Sequence, residues 1–297
     1  MIIPVHNGAR YIEQILNCIY SQTMNAYDIE TIMFFDGCTD DSVFVAKNWL
    51  ANNLQCKNMK IIISDKNIGP SMARNTATEH ASGEYIHFCD VDDLINQSFY
   101  ESLYKAAKWA NADVAVSSFV NERYPNNSVI FDEQYVITMP QDKINHTFVD
   151  TNGFSTRYII RRKFWNDNKF VFPPDMQYCE DMLIMVKTVI KSDKIVVVPN
   201  AFYFYKQRAT SLLNMRGKNK IRNYYWEIAK KSVNDFINDN NLKPAIYRDK
   251  KIKFNLFNLL PIITAKISSD NSYLGFRLFG IIPILKISIK PKRRRYI

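Results

Sequence analysis

Hydrophobic and polar positions follow two periods along the first 120 residues. Short apolar runs bounded by turn residues predict buried strands over residues 1–5, 29–35, 60–64, 84–89 and 113–119. Apolar residues at helical spacing predict the intervening helices over residues 11–20 and 42–50, from Pro70 onward, and over 97–110. Such alternation is typical of a mostly parallel sheet with helices on its faces. The pattern therefore predicts an α/β fold.

The second half of the chain has weaker patterns. Short β-like pieces at 129–131 and 135–138 predict a partly antiparallel extension of the sheet. Apolar residues spaced from Met182 to Ile190 predict a helix that begins at Glu180 and Asp181. A strand is predicted over 195–198, ending before a proline, and a basic, aromatic-rich helix over 219–240. The chain beyond residue 215 is expected to be a helical extension.

Polar residues follow three of the predicted strands at the point where each strand ends. Pro4, Val5 and His6 lie at the end of the first strand, Asp36 ends the second, and residues 90–93 follow the fourth. Ligands of such sheets bind at the carboxyl ends of the strands, which share one rim. The sequence therefore predicts a ligand site there.

Residues 90–93, Asp-Val-Asp-Asp, hold three carboxylates within four positions. Such carboxylates repel one another unless a cation lies among them. Proteins bind Mg²⁺ or Mn²⁺ with one or two carboxylates together with phosphate oxygens of the substrate. The segment predicts a metal–diphosphate site, and a solvated acidic turn before the next helix is the alternative.

Asp36 and Arg74 each have a functional and a structural interpretation. Asp36, beside Gly37, is either a plain turn residue or a carboxylate that accepts a hydrogen bond from a nucleobase. Arg74 would bind a phosphate or orient Asp90, and the alternative is a cation on a helix surface.

Glu180 and Asp181 also allow two interpretations. Acidic residues at a helix start cap free N–H groups. Alternatively, one of them is a general base, which a depressed pKa would keep ionised. Arg208 follows the last predicted strand in a loop rich in basic and hydroxyl groups, which suits a departing diphosphate.

Composition and charge narrow the class of protein. The 297 residues are 47% apolar and 23% charged, which excludes disordered and coiled-coil proteins. Residues 1–200 carry a net charge of −6 and residues 201–297 a net charge of +16, so the two parts are expected to do different work. A basic region of this strength predicts an anionic partner: phospholipid, sugar phosphate or nucleic acid.

The sequence shows few features that would direct the protein to a membrane or out of the cell. The five cysteines are odd in number and have no CxxC spacing, which argues against a zinc site and a disulfide framework. The sequence begins without a signal-peptide pattern, and no apolar run reaches about 18 residues. We expect a cytoplasmic protein with reduced thiols.

Four segments together resemble one protein family. In order, they are IIPVHNGARYIEQILNCIYSQT, FFDGCTDDS, NIGPSMARNTATEHASGEYIHFCDVDD and CEDM. Their order and spacing are similar to those of bacterial inverting glycosyltransferases of family 2, which have the GT-A fold. The resemblance spans about residues 1–215. The tail segment LFGIIPILKI resembles the ends of glycosyltransferases that build cell-surface polysaccharide and lipopolysaccharide.

The resemblance implies a role for each matching residue. It assigns base contacts to Pro4, Val5, His6 and Asp36, a nucleotide-sugar contact to Arg74, the ribose side to Asp90, a Mn²⁺ or Mg²⁺ ion to Asp92, and the catalytic base to Asp181 with Glu180 beside it. Three positions depart from the family: His6 replaces a tyrosine, Phe35 an aspartate and Cys38 a serine. None of these changes removes the metal ligand or the base.

The implied reaction is transfer of a sugar from a nucleoside-diphosphate sugar, UDP-linked, to a hydroxyl of a glycan or lipid-linked glycan. The implied organisation is a GT-A catalytic domain over 1–215 and a basic helical region over 216–297, at the membrane surface or at the acceptor. We expect a peripheral protein at the inner face of the cytoplasmic membrane, where basic residues attract anionic lipid.

Three alternatives stay open on the sequence alone. The chain could be a non-catalytic GT-A-like scaffold in polysaccharide assembly, although Asp90, Asp92 and Asp181 are present. It could be a basic nucleic-acid-binding protein, although it has no helix-turn-helix, zinc-finger or RNP-like signature, so no nucleic acid is expected. It could be a sugar nucleotidyltransferase, although the glycine-rich basic loop after the first strand is missing.

Overall fold

The protein is described by a computed structural model. It describes residues 1–53, 56, 58–122, 124–206 and 219–245, and the backbone of 251–254, 263–267, 273–278 and 282–288. The chain divides into two units, Met1–Ala245 and Ile246–Ile297.

The first unit alternates strands and helices from its start. Its strands are β1 (Ile2–Val5), β2 (Thr31–Asp36), β3 (Met59–Ser64), β4 (Tyr85–His87), β5 (Leu94–Ile95), β6 (Val114–Asn121), β7 (Tyr135–Ile137), β8 (Tyr158–Arg161) and β9 (Ile195–Tyr205). Its helices are α1 (Ala9–Tyr20), α2 (Ser42–Asn52), α3 (Pro70–Glu79), α4 (Phe99–Ala110), α5 (Pro140–Thr147), α6 (Arg162–Asp167), α7 (Glu180–Lys191) and α8 (Asn219–Asp239).

A parallel sheet of order β1-β2-β3 forms the first half of the unit. Val5 pairs with Phe35, and Asp36 pairs with Ser64. A further parallel bridge joins Ile2 to Phe88, just beyond β4. Because these strands run in one direction, their carboxyl ends lie at one rim, as the sequence predicted.

A second, mixed sheet has the order β4-β8-β6-β9-β5, with β7 also on β9. Only β6 and β9 pair in parallel within it, and the other pairs described are antiparallel. This is the partly antiparallel extension that the sequence predicted. The predicted class, a mixed α/β sheet flanked by helices, is confirmed.

The core of the first unit runs through both sheets and the helices that cover them. All six residues of β2 are buried, as expected for the central strand of a parallel sheet covered on both faces. The apolar stripe of α1, which consists of Ile12, Ile15, Leu16 and Ile19, is fully buried.

Several elements differ from the sequence prediction. β9 does not end before Pro199 but continues to Tyr205. A register shift between Ser117 and Ser118 lies where β6 pairs with this part of β9. Such an irregularity accommodates a residue that lacks an N–H group. Helices α5 and α6 and strand β8 were not predicted, because each is too short to show a period.

The C-terminal region is helical only in part. Helix α8 matches the helix predicted over 219–240. The segments described beyond it are strands, β10 (Lys251–Phe254), β11 (Ile263–Ile267), β12 (Tyr273–Leu278) and β13 (Ile282–Ser288), paired antiparallel in chain order. This corrects the expectation of helix there. The Lys-Ile-Lys-Phe sequence of β10 alternates with period two, which is typical of a strand.

None of the helices in the described part of the chain is both long and apolar enough to cross a membrane.

Candidate active site

The turn after β1 brings His6 to the end of β2. His6 is exposed, and its Nδ1–H donates to the main-chain oxygen of Asp36 over 2.7 Å. Asn7 follows in the left-handed region, with φ +52°, and its Oδ1 accepts from the N–H of Thr39 over 2.8 Å. Pro4 and Val5 lie within β1, opposite Phe34 and Phe35. The first two strand ends therefore form one polar edge.

Gly8 places the same turn against residues 90–93. A Cβ atom at Gly8 would lie 3.1 Å from Cγ1 of Val91 and 3.3 Å from Cγ1 of Val5. That spacing is tighter than ordinary van der Waals contact, so the position favours glycine. The acidic segment and the turn after β1 are direct neighbours.

Asp36 holds the loop that precedes α3. The residue is only 4% exposed. Its Oδ1 accepts from the N–H of Ile68 over 2.6 Å, and its Oδ2 accepts from the N–H of Gly69 over 2.9 Å. A nucleobase contact would have to share an oxygen with these donors. The structure thus gives Asp36 a structural role, and its base-reading role stays a prediction.

Arg74 connects two acidic residues from distant parts of the chain. It is 6% exposed. Its Nη1 donates to Oε1 of Glu180 over 2.5 Å, and its Nη2 donates to Oδ1 of Asp90 over 3.0 Å. The sequence predicted that Arg74 could orient Asp90, but not the link to Glu180. The two carboxylates outweigh burial and raise the pKa of Arg74, so the guanidinium stays charged.

The three carboxylates of residues 90–93 do different work. Asp93 is buried, and its Oδ2 accepts from the Tyr203 hydroxyl over 2.7 Å while its Oδ1 accepts from the N–H of Lys206 over 2.9 Å. Burial, and then the charges of Asp90 and Asp92, raise the pKa of Asp93 well above its usual value. Asp93 therefore anchors β9, while Asp90 and Asp92 remain half-buried at the rim.

These residues fit a divalent cation that also binds substrate. In the described part of the chain, no group of three or more His, Cys, Asp or Glu side chains could hold a metal ion alone. Mg²⁺ and Mn²⁺ sites that use one or two carboxylates and diphosphate oxygens do not need such a group. Asp92, with Asp90 nearby, offers hard oxygen donors of this kind, and the mutual repulsion at 90–93 favours a bound cation.

Asp181 is a partly exposed carboxylate at the first turn of α7. Its Oδ2 accepts a hydrogen bond from the N–H of Ser155 over 3.2 Å. Removal from water and then the charge of Glu180 raise the pKa of Asp181 to about 7, against the opposing effects of Arg74 and Ser155. The depressed pKa expected from the sequence is wrong, because burial outweighs the favourable contacts. A pKa near 7 suits a general base at neutral pH.

Glu180 differs from its neighbour. It is 9% exposed, and its carboxylate is paired with Arg74. That position suits a residue that holds the site together better than one that exchanges protons with substrate. The two acidic residues at this helix start thus have separate environments.

The structure assembles most of the predicted site. Arg74 links Asp90 directly to Glu180, Asp181 follows on the same helical turn, and His6 contacts Asp36 at the neighbouring strand end. Arg208 lies outside the described residues. The Ser155 N–H has no signal in the sequence, because any residue but proline supplies such a group. Tyr203, which lies beyond the strand predicted over 195–198, belongs to β9 and is buried against Asp93.

Comparison with known proteins gives a consistent family. A family model described as "Glycosyl transferase family 2" matches residues 1–176. The chain is 24% identical over 219 residues to the uncharacterized glycosyltransferase EpsJ of Bacillus subtilis, covering 71% of this chain and 62% of EpsJ. It is 28% identical over 211 residues to the poly(ribitol-phosphate) beta-N-acetylglucosaminyltransferase TarS of Staphylococcus aureus, covering 69% of this chain and 35% of TarS. The chain thus spans less than two thirds of both relatives.

Solved structures share the fold. TarS 1–349 in complex with UDP-GlcNAc superposes with a TM-score of 0.66 at 22% identity, covering 78% of this chain and 65% of that one. The mannosyltransferase PcManGT from Pyrobaculum calidifontis, in complex with GDP-Man and Mn²⁺, gives a TM-score of 0.54 at 18% identity, covering 82% and 64%. At these identities the likeness establishes the fold.

Proposed function

The chain belongs to glycosyl transferase family 2, and we propose that it transfers a sugar from a nucleoside-diphosphate sugar to a hydroxyl of a glycan or lipid-linked glycan, with inversion at the anomeric carbon. One observation carries the proposal: Arg74 joins Asp90, at the donor side of the rim, to Glu180, which precedes Asp181. One guanidinium therefore holds the carboxylate that we propose for the donor and the residue beside the proposed base.

The donor is proposed to lie along the rim formed by β1, β2 and the segment after β4. His6 offers an exposed ring that can stack on a base, held by its hydrogen bond to Asp36. Asp90 is proposed to lie at the ribose and Arg208 at the diphosphate. A UDP-linked donor is favoured because TarS, a relative, has been solved with UDP-GlcNAc.

Asp181 is proposed as the general base. Its Oδ2 is held by Ser155, and Oδ1 accepts no hydrogen bond from residues in the described part of the chain. Oδ1 is therefore positioned to take the proton of the acceptor hydroxyl. The acceptor oxygen then attacks the anomeric carbon from the face opposite the diphosphate, the bond from that carbon to the diphosphate oxygen breaks, and the configuration inverts.

The diphosphate that leaves carries growing negative charge. A Mn²⁺ or Mg²⁺ ion held by Asp92 would supply positive charge against it, the kind of electrostatic stabilisation that is usually the largest contribution. The solved complex of PcManGT with Mn²⁺ supports a divalent cation at a fold of this type. Arg74 holds Asp90, two residues before Asp92, through a hydrogen bond of 3.0 Å.

The basic C-terminal part is proposed to bring the catalytic unit to an anionic membrane surface, where a lipid-linked acceptor would be found. The net charge of +16 over residues 201–297 supports this, since each basic residue near anionic lipid contributes about 1 kcal/mol. We further propose that residues 1–215 form the catalytic domain and residues 216–297 this accessory region, on the cytoplasmic side.

A panel of nucleotide sugars, assayed for donor hydrolysis and transfer with and without Mn²⁺, tests the proposal. Asp181→Asn is expected to lower the transfer rate by a factor of about 10²–10⁴, since general-base catalysis contributes that much. Its affinity for the donor should equal that of the wild type. Asp92→Ala is expected to lose the part of donor affinity that depends on metal, measured by calorimetry. Asp175→Asn is the matched control, since Asp175 is exposed a few residues before Asp181.

The same experiment separates the alternatives. A non-catalytic scaffold would bind a donor without turnover, and Asp181→Asn would then change nothing. A nucleic-acid-binding protein would bind RNA or DNA in a salt-dependent way and bind no nucleotide sugar. Wild-type turnover by Asp181→Asn would overturn the assignment of the base.

A further inference from the structure

The loop before β8 approaches the first turn of α7 unusually closely. This 148–157 loop begins where α5 ends, at Phe148 with φ +54°. At its centre, a Cβ atom on Gly153 would lie 2.9 Å from the main-chain oxygen of Val149 and 3.1 Å from Cα of Met182. Met182 directly follows Asp181. Glycine at 153 therefore lets the loop backbone pack against the backbone of α7 beside the proposed base.

The loop carries the hydrogen bond that holds this base. Ser155 donates its N–H to Oδ2 of Asp181 over 3.2 Å. A hydrogen bond to an ionised carboxylate favours the ionised form and also fixes which oxygen stays available. Whatever positions the Ser155 N–H therefore acts on both the orientation and the proton affinity of Asp181.

Arg157 is the residue that braces the loop. It is fully buried, and its Nη1 donates to the main-chain oxygens of Thr147 over 3.1 Å and Asn152 over 3.2 Å. These two carbonyl groups lie at the end of α5 and at the middle of the loop. The guanidinium carbon also lies 5.7 Å from the ring centre of Phe119 and 5.5 Å from that of Tyr158.

Arg157 has no carboxylate partner among the residues that the structure describes. Its Nε and Nη2 atoms are buried and have no hydrogen-bond partner there. A buried guanidinium costs free energy unless it is paired or hydrogen-bonded, so other contacts must offset the cost of burying Arg157. Bonding to two carbonyl groups of one loop supplies such a role, since it fixes the path of the chain that leads to Ser155.

We propose that Arg157 is a positioning residue for Asp181: it fixes the 148–157 loop so that the Ser155 N–H holds Oδ2 of the carboxylate and leaves Oδ1 for the acceptor hydroxyl. This inference rests on the proposed role of Asp181 as the base. It assigns to the loop a task that its sequence alone does not suggest.

Other charged and titratable groups also face Asp181, and they set the background for the test. They are Glu180 and Cys179 at the start of α7, Arg74 of α3, Asp90 after β4, and Tyr158 of β8. The variants chosen below leave all of these in place. A change in the titration of Asp181 in Ser155→Pro, which also keeps the charge of Arg157, therefore reports on the loop.

Two variants test the proposal by different routes. Arg157→Met keeps an unbranched apolar side chain and removes the hydrogen-bond donors. Ser155→Pro removes the N–H group together with the Ser155 hydroxyl, which makes no hydrogen bond to the described residues. Proline is tolerated at the first position of a 3₁₀ turn, and the extended backbone of Phe154 (φ −63°, ψ 118°) is compatible with a following proline. Arg162→Met is the matched control, since Arg162 also donates to two main-chain oxygens, of Gly83 and Ser82, away from this loop.

The measurements are the pH profile of kcat/KM and an NMR titration of Asp181 in protein labelled with ¹³C-aspartate, without donor. Loss of the hydrogen bond from the Ser155 N–H should raise the pH midpoint of the Asp181 titration by about one pH unit in both variants. Accordingly, kcat/KM should fall roughly tenfold at pH 6 and approach the wild-type value at high pH. Arg157→Lys, which can still donate to both carbonyl groups, should restore most of the wild-type profile, and Arg162→Met should leave it unchanged.

The outcomes separate this inference from the proposed function. Unmoved midpoints in folded Arg157→Met and Ser155→Pro proteins would overturn the inference even if Asp181→Asn is inactive. Moved midpoints together with a fully active Asp181→Asn would support the positioning of the carboxylate and refute its role as the base. If Arg157→Met does not fold, Ser155→Pro and Arg157→Lys decide the matter.

Discussion

The guanidinium of Arg74 lies 2.5 Å from the carboxylate of Glu180, although 105 residues separate them along the chain. Both side chains are nearly buried, with 7% and 11% exposure. The same guanidinium also contacts the carboxylate of Asp90. One residue of α3 therefore makes both ion pairs. A buried ion pair of this kind is costly to break, because removal of one partner leaves the other charged and unpaired.

Arg74→Met should therefore lower the free energy of unfolding by about 3–5 kcal/mol, the typical cost of breaking a buried pair. Lys60→Met is the control, because Lys60 pairs with Glu30 while 48% exposed, and such a surface pair contributes about 0–1 kcal/mol. Urea denaturation measures both. The double variant Arg74→Met, Glu180→Met should recover part of the loss, and equal effects of Arg74→Met and Lys60→Met would contradict a buried bridge.

The raised pKa of Asp181 should make the stability of the protein depend on pH. A carboxyl group that binds its proton more tightly when folded stabilises the protein fully below about pH 3.8, and this contribution is lost as the pH rises through about 7. Asp181→Asn stays neutral throughout. The free energy of unfolding of the variant should therefore equal that of the wild type at pH 4 and exceed it at pH 8. Denaturant unfolding at the two pH values measures this difference. Asp175→Asn, at an exposed carboxylate, should show no such difference. If the free energies of unfolding of Asp181→Asn and the wild type differ by the same amount at both pH values, the raised pKa is refuted.

Sequence periodicity predicted most of the first sheet and its helices, because apolar residues in β1, β2 and α1 face a common core. It also predicted that residues 90–93 and the turn after β1 share a rim. It could not predict that Asp93 turns inward to Tyr203, since the three aspartates of residues 90–93 look alike in a sequence. The antiparallel pairing of β5 with β9, in which Ile95 lies opposite Tyr203, brings that tyrosine to the acidic segment.

The site's long-range contacts were also beyond the sequence. Arg74 and Glu180 each had an ordinary local explanation, a surface cation and a helix cap. Their pairing depends on the packing of α3 beside the start of α7, which no local pattern encodes. The 148–157 loop likewise shows no periodic pattern. Its role depends on backbone N–H and C=O groups, which do not vary with residue type.

The basic C-terminal tail should matter for membrane binding. Replacing Arg293, Arg294 and Arg295 with alanine should weaken partition to vesicles with anionic lipid by about two orders of magnitude, because each basic residue contributes about 1 kcal/mol. Flotation measures the partition. Alanine at Lys47, Lys105 and Lys163, which are exposed in the first unit, removes the same charge elsewhere. Equal losses in the two triple variants would show that only total charge matters and would contradict a specific role of the tail.

Asp36 allows its structural and its base-reading roles to be separated. An asparagine has one acceptor oxygen where the carboxylate has two, so Asp36→Asn can keep only one of the hydrogen bonds from Ile68 and Gly69. The lost bond should lower the free energy of unfolding by about 1.5–3 kcal/mol, as is usual for a hydrogen bond to a charged group. Amide hydrogen exchange should speed up at Ile68 or Gly69. Asp65→Asn, at an exposed position near the same loop, is the control and should leave both quantities unchanged. If Asp36 serves only to read the base, its variant will keep wild-type stability and exchange and will change only the preference among UDP, GDP and dTDP donors.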